Sequence, residues 1–211
     1  MKPITVPILQ ELLDSELVWR RRELTALITA IKGSDAVTKS VLIRAGVPLL
    51  YAHWEGFGRA SFQRYLEHVS YKNIKYKNLS PAFYYLGTLS RIQEIGRSPA
   101  KSAIVLLPEL LEVREKTNRN NFKKMVDTKS NLRFDVLEQL CSITGIDFNV
   151  FSEEEYFINH ELCDSRNEIA HGAASGPSEE TLIKRRDRTF SIMTLLQTEI
   201  VNAAIKCSYK A

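Results

Sequence analysis

Three residues in the last quarter of the sequence carry side chains that could do chemistry on a phosphodiester. Arg166 and Asn167 are adjacent, and His171 follows four residues after the asparagine. Histidine takes up or releases a proton near neutral pH, and an arginine guanidinium neutralises the extra negative charge of a pentacoordinate phosphate. Asn167 could orient the imidazole through a hydrogen bond. The set suits cleavage of RNA by its own 2′-hydroxyl group, a reaction that requires no metal ion or cofactor.

The products of that reaction would be a 2′,3′-cyclic phosphate, or its hydrolysis product, and a 5′-hydroxyl end. DNA would not react because it lacks the 2′-hydroxyl nucleophile. An arginine and a histidine five positions apart also occur by chance in ordinary sequences. An unreactive surface therefore stays open as the alternative for these residues.

The three residues lie at the end of a predicted amphipathic helix over residues 153–170. At about 100° per residue, Ile158, Leu162, Ser165 and Ile169 share one side of this helix. An ordinary solvated face favours Lys and Glu, whereas the opposite side here carries poorer helix formers with hydrogen-bonding and proton-transfer groups. This polar stripe adds Asp164 as a candidate supporting residue. The stripe consists of His160, Asp164, Asn167 and His171.

The spacing of apolar residues predicts an all-α fold. Apolar residues recur every three or four positions along nearly the whole chain, and glycine is scarce, at 9 of 211 residues. Pro48 is expected to start or kink a helix. A loop is predicted over residues 71–78, and the polar stretch 116–132 is the best candidate for a linker. The predicted helices cover residues 7–31, 38–69, 81–95, 101–114, 134–144, 153–170 and 179–207.

The composition is that of a globular chain, with 44% hydrophobic and 26% charged residues, and we treat residues 1–211 as one domain. No apolar run approaches the roughly 20 residues of a membrane span, and no secretion signal begins the sequence. We therefore expect a cytoplasmic protein. Cys141, Cys163 and Cys207 are widely spaced, which indicates reduced packing residues and no metal site.

The formal net charge of +4 is mild and does not by itself identify a nucleic-acid partner. Lys184, Arg185 and Arg186 begin the helix after the Arg166–His171 segment, so we predict that they line the same cleft and bind RNA. A second basic set could form another track for RNA, although either set could be only a solvated surface. The second set is Lys116, Arg119, Lys123, Lys124, Lys129 and Arg133.

The chain resembles the HEPN superfamily in the segment Arg166-Asn167-Glu168-Ile169-Ala170-His171-Gly172, where three residues and a histidine follow an Arg-Asn pair. Two earlier segments resemble a HEPN branch found in bacterial toxin and phage-defence loci. They are Trp19-Arg20-Arg21-Arg22-Glu23-Leu24 and Tyr51-Ala52-His53-Trp54-Glu55-Gly56-Phe57. Together the three segments span most of the chain.

The resemblance implies a helical bundle, here with extra helices in the middle of the chain, that dimerises and joins two motifs in one RNA-cleaving cleft. It carries over Arg166 and His171 as catalytic residues and Asn167 as the polar residue beside the arginine. Glu55 could pair with Arg166 and position it. A partly buried glutamate next to any arginine would give the same sequence pattern.

We therefore expect a homodimeric, metal-independent endoribonuclease that acts as a toxin or defence effector. An antitoxin, another inhibitor protein or nucleotidyl modification would restrain it. The alternative is a non-catalytic HEPN-type module that binds a nucleotide or a protein through the same polar groove. A DNA-binding regulator is a third hypothesis, although no helix-turn-helix spacing with a central glycine stands out.

Overall fold

The computed structural model of the chain describes residues 4–118, 122, 126–129, 131–174 and 176–211. Helices make up most of this part, and its β-type pairings are isolated bridges between Lys75 and Thr117 and between Leu79 and Lys210. The predicted all-α fold is confirmed. The α-helices are α1 (Val6–Gly33), α2 (Ala36–Ser70), α3 (Pro81–Arg97), α4 (Ala100–Glu112), α5 (Phe134–Thr144), α6 (Ser165–Ala170) and α7 (Glu179–Ile205).

The first two helices pack against each other across a two-residue connection. Thr5 caps α1, because its hydroxyl accepts the N–H of Ile8. Asp35 caps α2 by accepting backbone N–H groups of the first turn, which would otherwise lack partners. Helix α2 continues through Pro48, so this proline neither starts nor ends the helix.

Helix α7 completes the central core by packing on both α1 and α2. It begins at Glu179 as predicted, and Ser178 caps it, since the Ser178 hydroxyl accepts the N–H of Thr181 at 3.1 Å. Large apolar side chains of α2 fill the space between the helices, and burying one such side chain contributes roughly 1.5–3 kcal/mol. The fully buried aromatic residues of α2 are Trp54, Phe57, Phe62 and Tyr65.

Helices α3, α4 and α5 are the extra helices expected in the middle of the chain. Helix α3 packs on both α4 and α5. It also lies against Tyr76, since a Cβ atom at Gly87 would come within 2.3 Å of Tyr76 Cε1. The predicted loop over residues 71–78 therefore ends in a packed 3-10 turn, Tyr76–Asn78, whose tyrosine is buried.

Helix α4 is strongly apolar but packs mainly on α3, and it leaves Ile104, Val105 and Leu107 exposed. Its 13 residues are fewer than the roughly 20 that a membrane span needs. No helix in the described part of the chain combines the length and the apolar character that crossing a membrane requires.

The prediction of a linker over residues 116–132 is wrong for the positions that the structure describes. Phe122, Thr128 and Leu132 are buried. Trp54 Nε1 donates a hydrogen bond to the Leu132 carbonyl at 2.9 Å. Gly58 leaves room for the Leu132 side chain, because a Cβ atom at position 58 would collide with Leu132 Cδ2. The polar composition of the segment was misleading, since several of its polar groups bond to the bundle.

Candidate active site

The segment that carries the candidate catalytic residues is wound differently from the single α-helix predicted over residues 153–170. A 3-10 helix covers Asn149–Glu154, a π-helix covers Phe157–Asp164, and α6 follows. Each bond of a π-helix joins an N–H to the carbonyl five residues earlier. Ser165 favours this winding, because its backbone N–H and its hydroxyl both donate to the carbonyl of His160. The predicted α-helical winding is therefore wrong over Phe157–Asp164.

The predicted division into an apolar and a polar side nevertheless persists. Ile158 and Leu162 are buried, and the π-helix packs against α2. His160 and His171 are exposed, and Asp164 and Asn167 are half-buried. The polar stripe therefore borders solvent, where a substrate has access to it.

His171 is the C-cap residue of α6, directly after its last helical residue, Ala170. The next residue, Gly172, has a φ of +94°, a conformation that favours glycine. The N–H of Ala173 then bonds to the Glu168 carbonyl at 3.0 Å and the N–H of Gly172 to the Ile169 carbonyl at 3.1 Å. This pair of bonds is a Schellman motif, which fixes the backbone on which the exposed imidazole stands.

Arg166 lies in the first turn of α6, and its side chain faces α2. Its guanidinium carbon lies 4.1 Å from the centre of the Tyr51 ring, within the range of a cation–π interaction. Its Nη2 atom donates to Asn131 Oδ1 at 3.4 Å. Two side chains from distant parts of the sequence therefore hold the half-buried guanidinium.

Tyr51 is itself fixed by hydrogen bonds at its hydroxyl group. The hydroxyl donates to Glu55 Oε2 at 2.8 Å and accepts the backbone N–H of Leu132 at 3.0 Å. Burial raises the pKa of Tyr51 well above its ordinary value, so the hydroxyl keeps the proton that it donates. Glu55 is thus linked to Arg166 through the Tyr51 side chain. The sequence had suggested that Glu55 could pair with Arg166.

The other oxygen of Glu55 connects the network to the 126–133 segment. Thr128 Oγ1 donates to Glu55 Oε1 at 2.7 Å, and Arg59 Nη2 donates to both groups, at 2.7 Å to the threonine and 3.3 Å to the carboxylate. Sequence reasoning missed Tyr51, Arg59, Thr128 and Asn131. The helical spacing of Tyr51, Glu55 and Arg59, each four residues apart, was the available signal that they share one face.

Asp164 belongs to a neighbouring ion-pair cluster. Its two oxygens accept from Arg133 Nη1 and pair with His160 Nδ1, each at 2.8 Å. The hydrogen bond from Arg133, followed by that from His160, lowers the pKa of the Asp164 carboxyl. Among the residues that the structure describes, no three His, Cys, Asp or Glu side chains gather closely enough to hold a metal ion.

The basic residues predicted to bind RNA differ in their surroundings. Arg185 is largely buried and joins α7 to the π-helix region, since it donates to Glu161 and to the Ser165 hydroxyl, each at 3.1 Å. Lys184 is exposed and pairs with Glu180 at 2.6 Å, whereas Arg186 bonds to Asp187. Of the second basic set, Arg119, Lys123 and Lys124 lie outside the described residues.

We expect Tyr51→Phe to lower the free energy of unfolding by about 1–3 kcal/mol. The ring would still support Arg166, but the buried N–H of Leu132 would lose its acceptor and Glu55 would lose a donor. Urea denaturation followed by circular dichroism measures the change. Tyr85→Phe is the matched control, because Tyr85 is substantially exposed. Equal stabilities of the two variants would contradict the prediction.

The chain matches a known protein family. The sequence model of the family described as RiboL-PSP-HEPN matches residues 15–202, which include Glu55, Arg166 and His171. No curated protein and no solved structure matches the chain.

Proposed function

Because the chain belongs to the RiboL-PSP-HEPN family, within the HEPN superfamily, we propose that it is a metal-independent endoribonuclease. Membership of this superfamily favours a ribonuclease or a nucleotide-binding module. The ribonuclease is the more specific of the two, and it rests on the residues of the Arg166–His171 segment.

One observation carries the proposal. Arg166 lies in the short helix α6, and the exposed His171 caps the C-terminal end of the same helix. Tyr51 and Asn131 hold the guanidinium of Arg166 in place. A fixed cation and an accessible imidazole on one rigid element are the groups that cleavage by a 2′-hydroxyl needs. An ordinary solvated helix end has no need of such support for an arginine.

In the proposed reaction the 2′-oxygen attacks phosphorus while its proton passes to an imidazole. The bond from phosphorus to the 5′-oxygen then breaks, and a proton is supplied to that oxygen. Arg166 stabilises the negative charge on the non-bridging oxygens. Asn167 lies four residues before His171, so its side chain is a neighbour on the helix surface and orients the imidazole.

The reaction needs one group that accepts a proton and one that donates it. A homodimer supplies both, since each copy presents one His171 on its surface. We propose that two copies form the RNA-cleaving cleft together, with Lys184 and Arg186 at its edge to attract the RNA backbone. Arg185 then acts mainly by holding α7 against the π-helix and the start of α6, because its partners are Glu161 and Ser165.

The biological role that we propose is that of a toxin or defence effector. Such an enzyme requires restraint in the cell that makes it, which an inhibitor protein or a modification would provide. The support for this role is the resemblance of the Trp19–Leu24 and Tyr51–Phe57 segments to a toxin and phage-defence branch.

The direct test is incubation of the purified protein with labelled single-stranded RNA in EDTA, followed by analysis of the product ends. We expect cleavage that leaves a 2′,3′-cyclic phosphate and a 5′-hydroxyl. A matched RNA with a single 2′-deoxynucleotide before the cut bond should resist cleavage there. RNA that stays intact across varied sequences would overturn the proposal in favour of a nucleotide- or protein-binding module.

A further inference from the structure

We propose that Arg59 and Arg133 bind the RNA phosphates on either side of the phosphate held by Arg166. The three residues together are called the arginine row. This inference rests on the proposed function for the identity of its ligand, single-stranded RNA, and it assigns a binding role to two residues outside the family motif.

The 126–133 segment brings the arginine row together. Arg59 bonds to Thr128, Arg166 bonds to Asn131, and Arg133 follows two residues later. The segment makes a tight turn between Thr128 and Asn131, because the N–H of Asn131 donates to the Thr128 carbonyl at 2.9 Å. Such a turn brings its end residues within about 7 Å of each other. Arg59 and Arg166 are therefore bonded to the two end residues of one turn, and Arg133 follows this turn in the chain.

Both outer arginines keep donors for a ligand. The Arg59 side chain is 49% exposed and the Arg133 side chain is 32% exposed. A guanidinium carries five N–H groups. The contacts described above use Nη2 of Arg59 and Nη1 of Arg133. The carboxylates of Glu55 and Asp164 fix the direction of each guanidinium without covering it.

The charges of this surface are nearly balanced. Lys129 is exposed and adds a fourth cation near the row, but Glu55, Asp127, Asp135 and Asp164 are nearby carboxylates, so the four positive charges face four negative charges. Partial neutralisation predicts moderate rather than tight binding. It also predicts that binding weakens as salt increases, because each phosphate contact releases a counterion.

A purely structural role for the outer arginines leads to a different expectation. Without Arg59, Glu55 would still accept hydrogen bonds from Tyr51 and Thr128. Removal of the Arg59 side chain should therefore change RNA affinity much more than it changes thermal stability. Affinity measured separately from stability distinguishes binding from scaffolding.

The test uses a short, fluorescently labelled single-stranded RNA whose 2′-positions are all O-methylated, so that it cannot be cut. Binding to the full chain is measured by fluorescence anisotropy at several salt concentrations. The variants are Arg59→Ala and Arg133→Ala, and Arg133→Gln, which also removes the charge, replaces the latter if it unfolds. Arg91→Ala is the matched control, because Arg91 is 36% exposed and likewise pairs with carboxylates, Glu94 and Glu109, on α3 and α4.

We expect each alanine variant to bind about tenfold more weakly than the native protein. The slope of log affinity against log salt should fall by about 0.7 for each arginine removed. Arg91→Ala should bind like the native protein. Thermal melts of Arg59→Ala should match those of the native protein.

The arginine row is wrong if Arg59→Ala and the Arg133 variant bind as the native protein does, or if the native protein does not bind this RNA. The nuclease proposal fails separately. Cleavage of ordinary RNA with unchanged binding in the variants would refute the row alone. Weakened binding in the variants, without cleavage of any RNA by the native protein, would support the row and refute the nuclease.

Discussion

The His171→Ala variant is expected to cleave RNA about 10²–10⁴-fold more slowly than the native protein. This range is the usual contribution of a side chain that transfers a proton in the transition state. His171 is exposed, so its loss should change the free energy of unfolding by no more than about 0.5 kcal/mol. Initial cleavage rates of labelled RNA in EDTA, together with a urea titration, measure both quantities.

The matched control for His171→Ala is Glu168→Gln, which also changes an exposed residue of α6. It should retain most of the activity, because the proposed mechanism gives Glu168 no role. Unchanged cleavage by His171→Ala would exclude this imidazole from the reaction. In a cellular assay the same variant separates the enzyme from a binding module, whose toxicity would survive the substitution.

Arg166→Lys should lower the rate constant of cleavage by about 10²-fold despite preserving the positive charge. A lysine ammonium is a compact charge that cannot stack flat on Tyr51 and cannot bond to two phosphate oxygens with a rigid fork. Loss of a group that stabilises developing charge commonly costs 10²–10³ in rate. Single-turnover kinetics at saturating protein measure the chemical step apart from RNA binding.

Arg188→Lys serves as the control for this substitution. Arg188 also lies over an aromatic ring, that of Phe157 at 4.8 Å, and it pairs with Glu154 at 2.9 Å. The two variants lose comparable contacts, but only Arg166 belongs to the proposed catalytic set. Equal single-turnover rates for both variants would show that the geometry of Arg166 does not matter to the reaction.

Local sequence signals predicted the helices whose ends are set by nearby residues. The start of α7 at Glu179 and the position of α5 follow from interactions within a few residues, and both predictions are confirmed. The end of α6 at His171 was predicted in the same way, because Gly172 ends the helix locally. The candidate residues Arg166, Asn167 and His171 could thus be placed at a helix end from sequence alone.

The support of Arg166 could not be predicted in the same way. It depends on contacts between α2 and the 126–133 segment, such as that between Trp54 and Leu132, which lie 78 residues apart. A polar, turn-forming segment looks like a linker unless its distant partners are known. The π-helix was missed for a related reason, because its winding depends on Ser165 and on packing rather than on the spacing of apolar residues.

The distance along the chain between Tyr51 and Arg166 also determines when, during synthesis, Tyr51 can begin to support Arg166. The two residues are 115 positions apart, and synthesis at about 5–20 residues per second needs on the order of ten seconds to cover that interval. Local helices form in microseconds, whereas contacts of such long range form late in folding. The support of Arg166 by Tyr51 therefore assembles only after residue 166 has been made, late in synthesis. For the nuclease proposed above, this delay would give an inhibitor a period in which to bind the chain before cleavage of RNA begins.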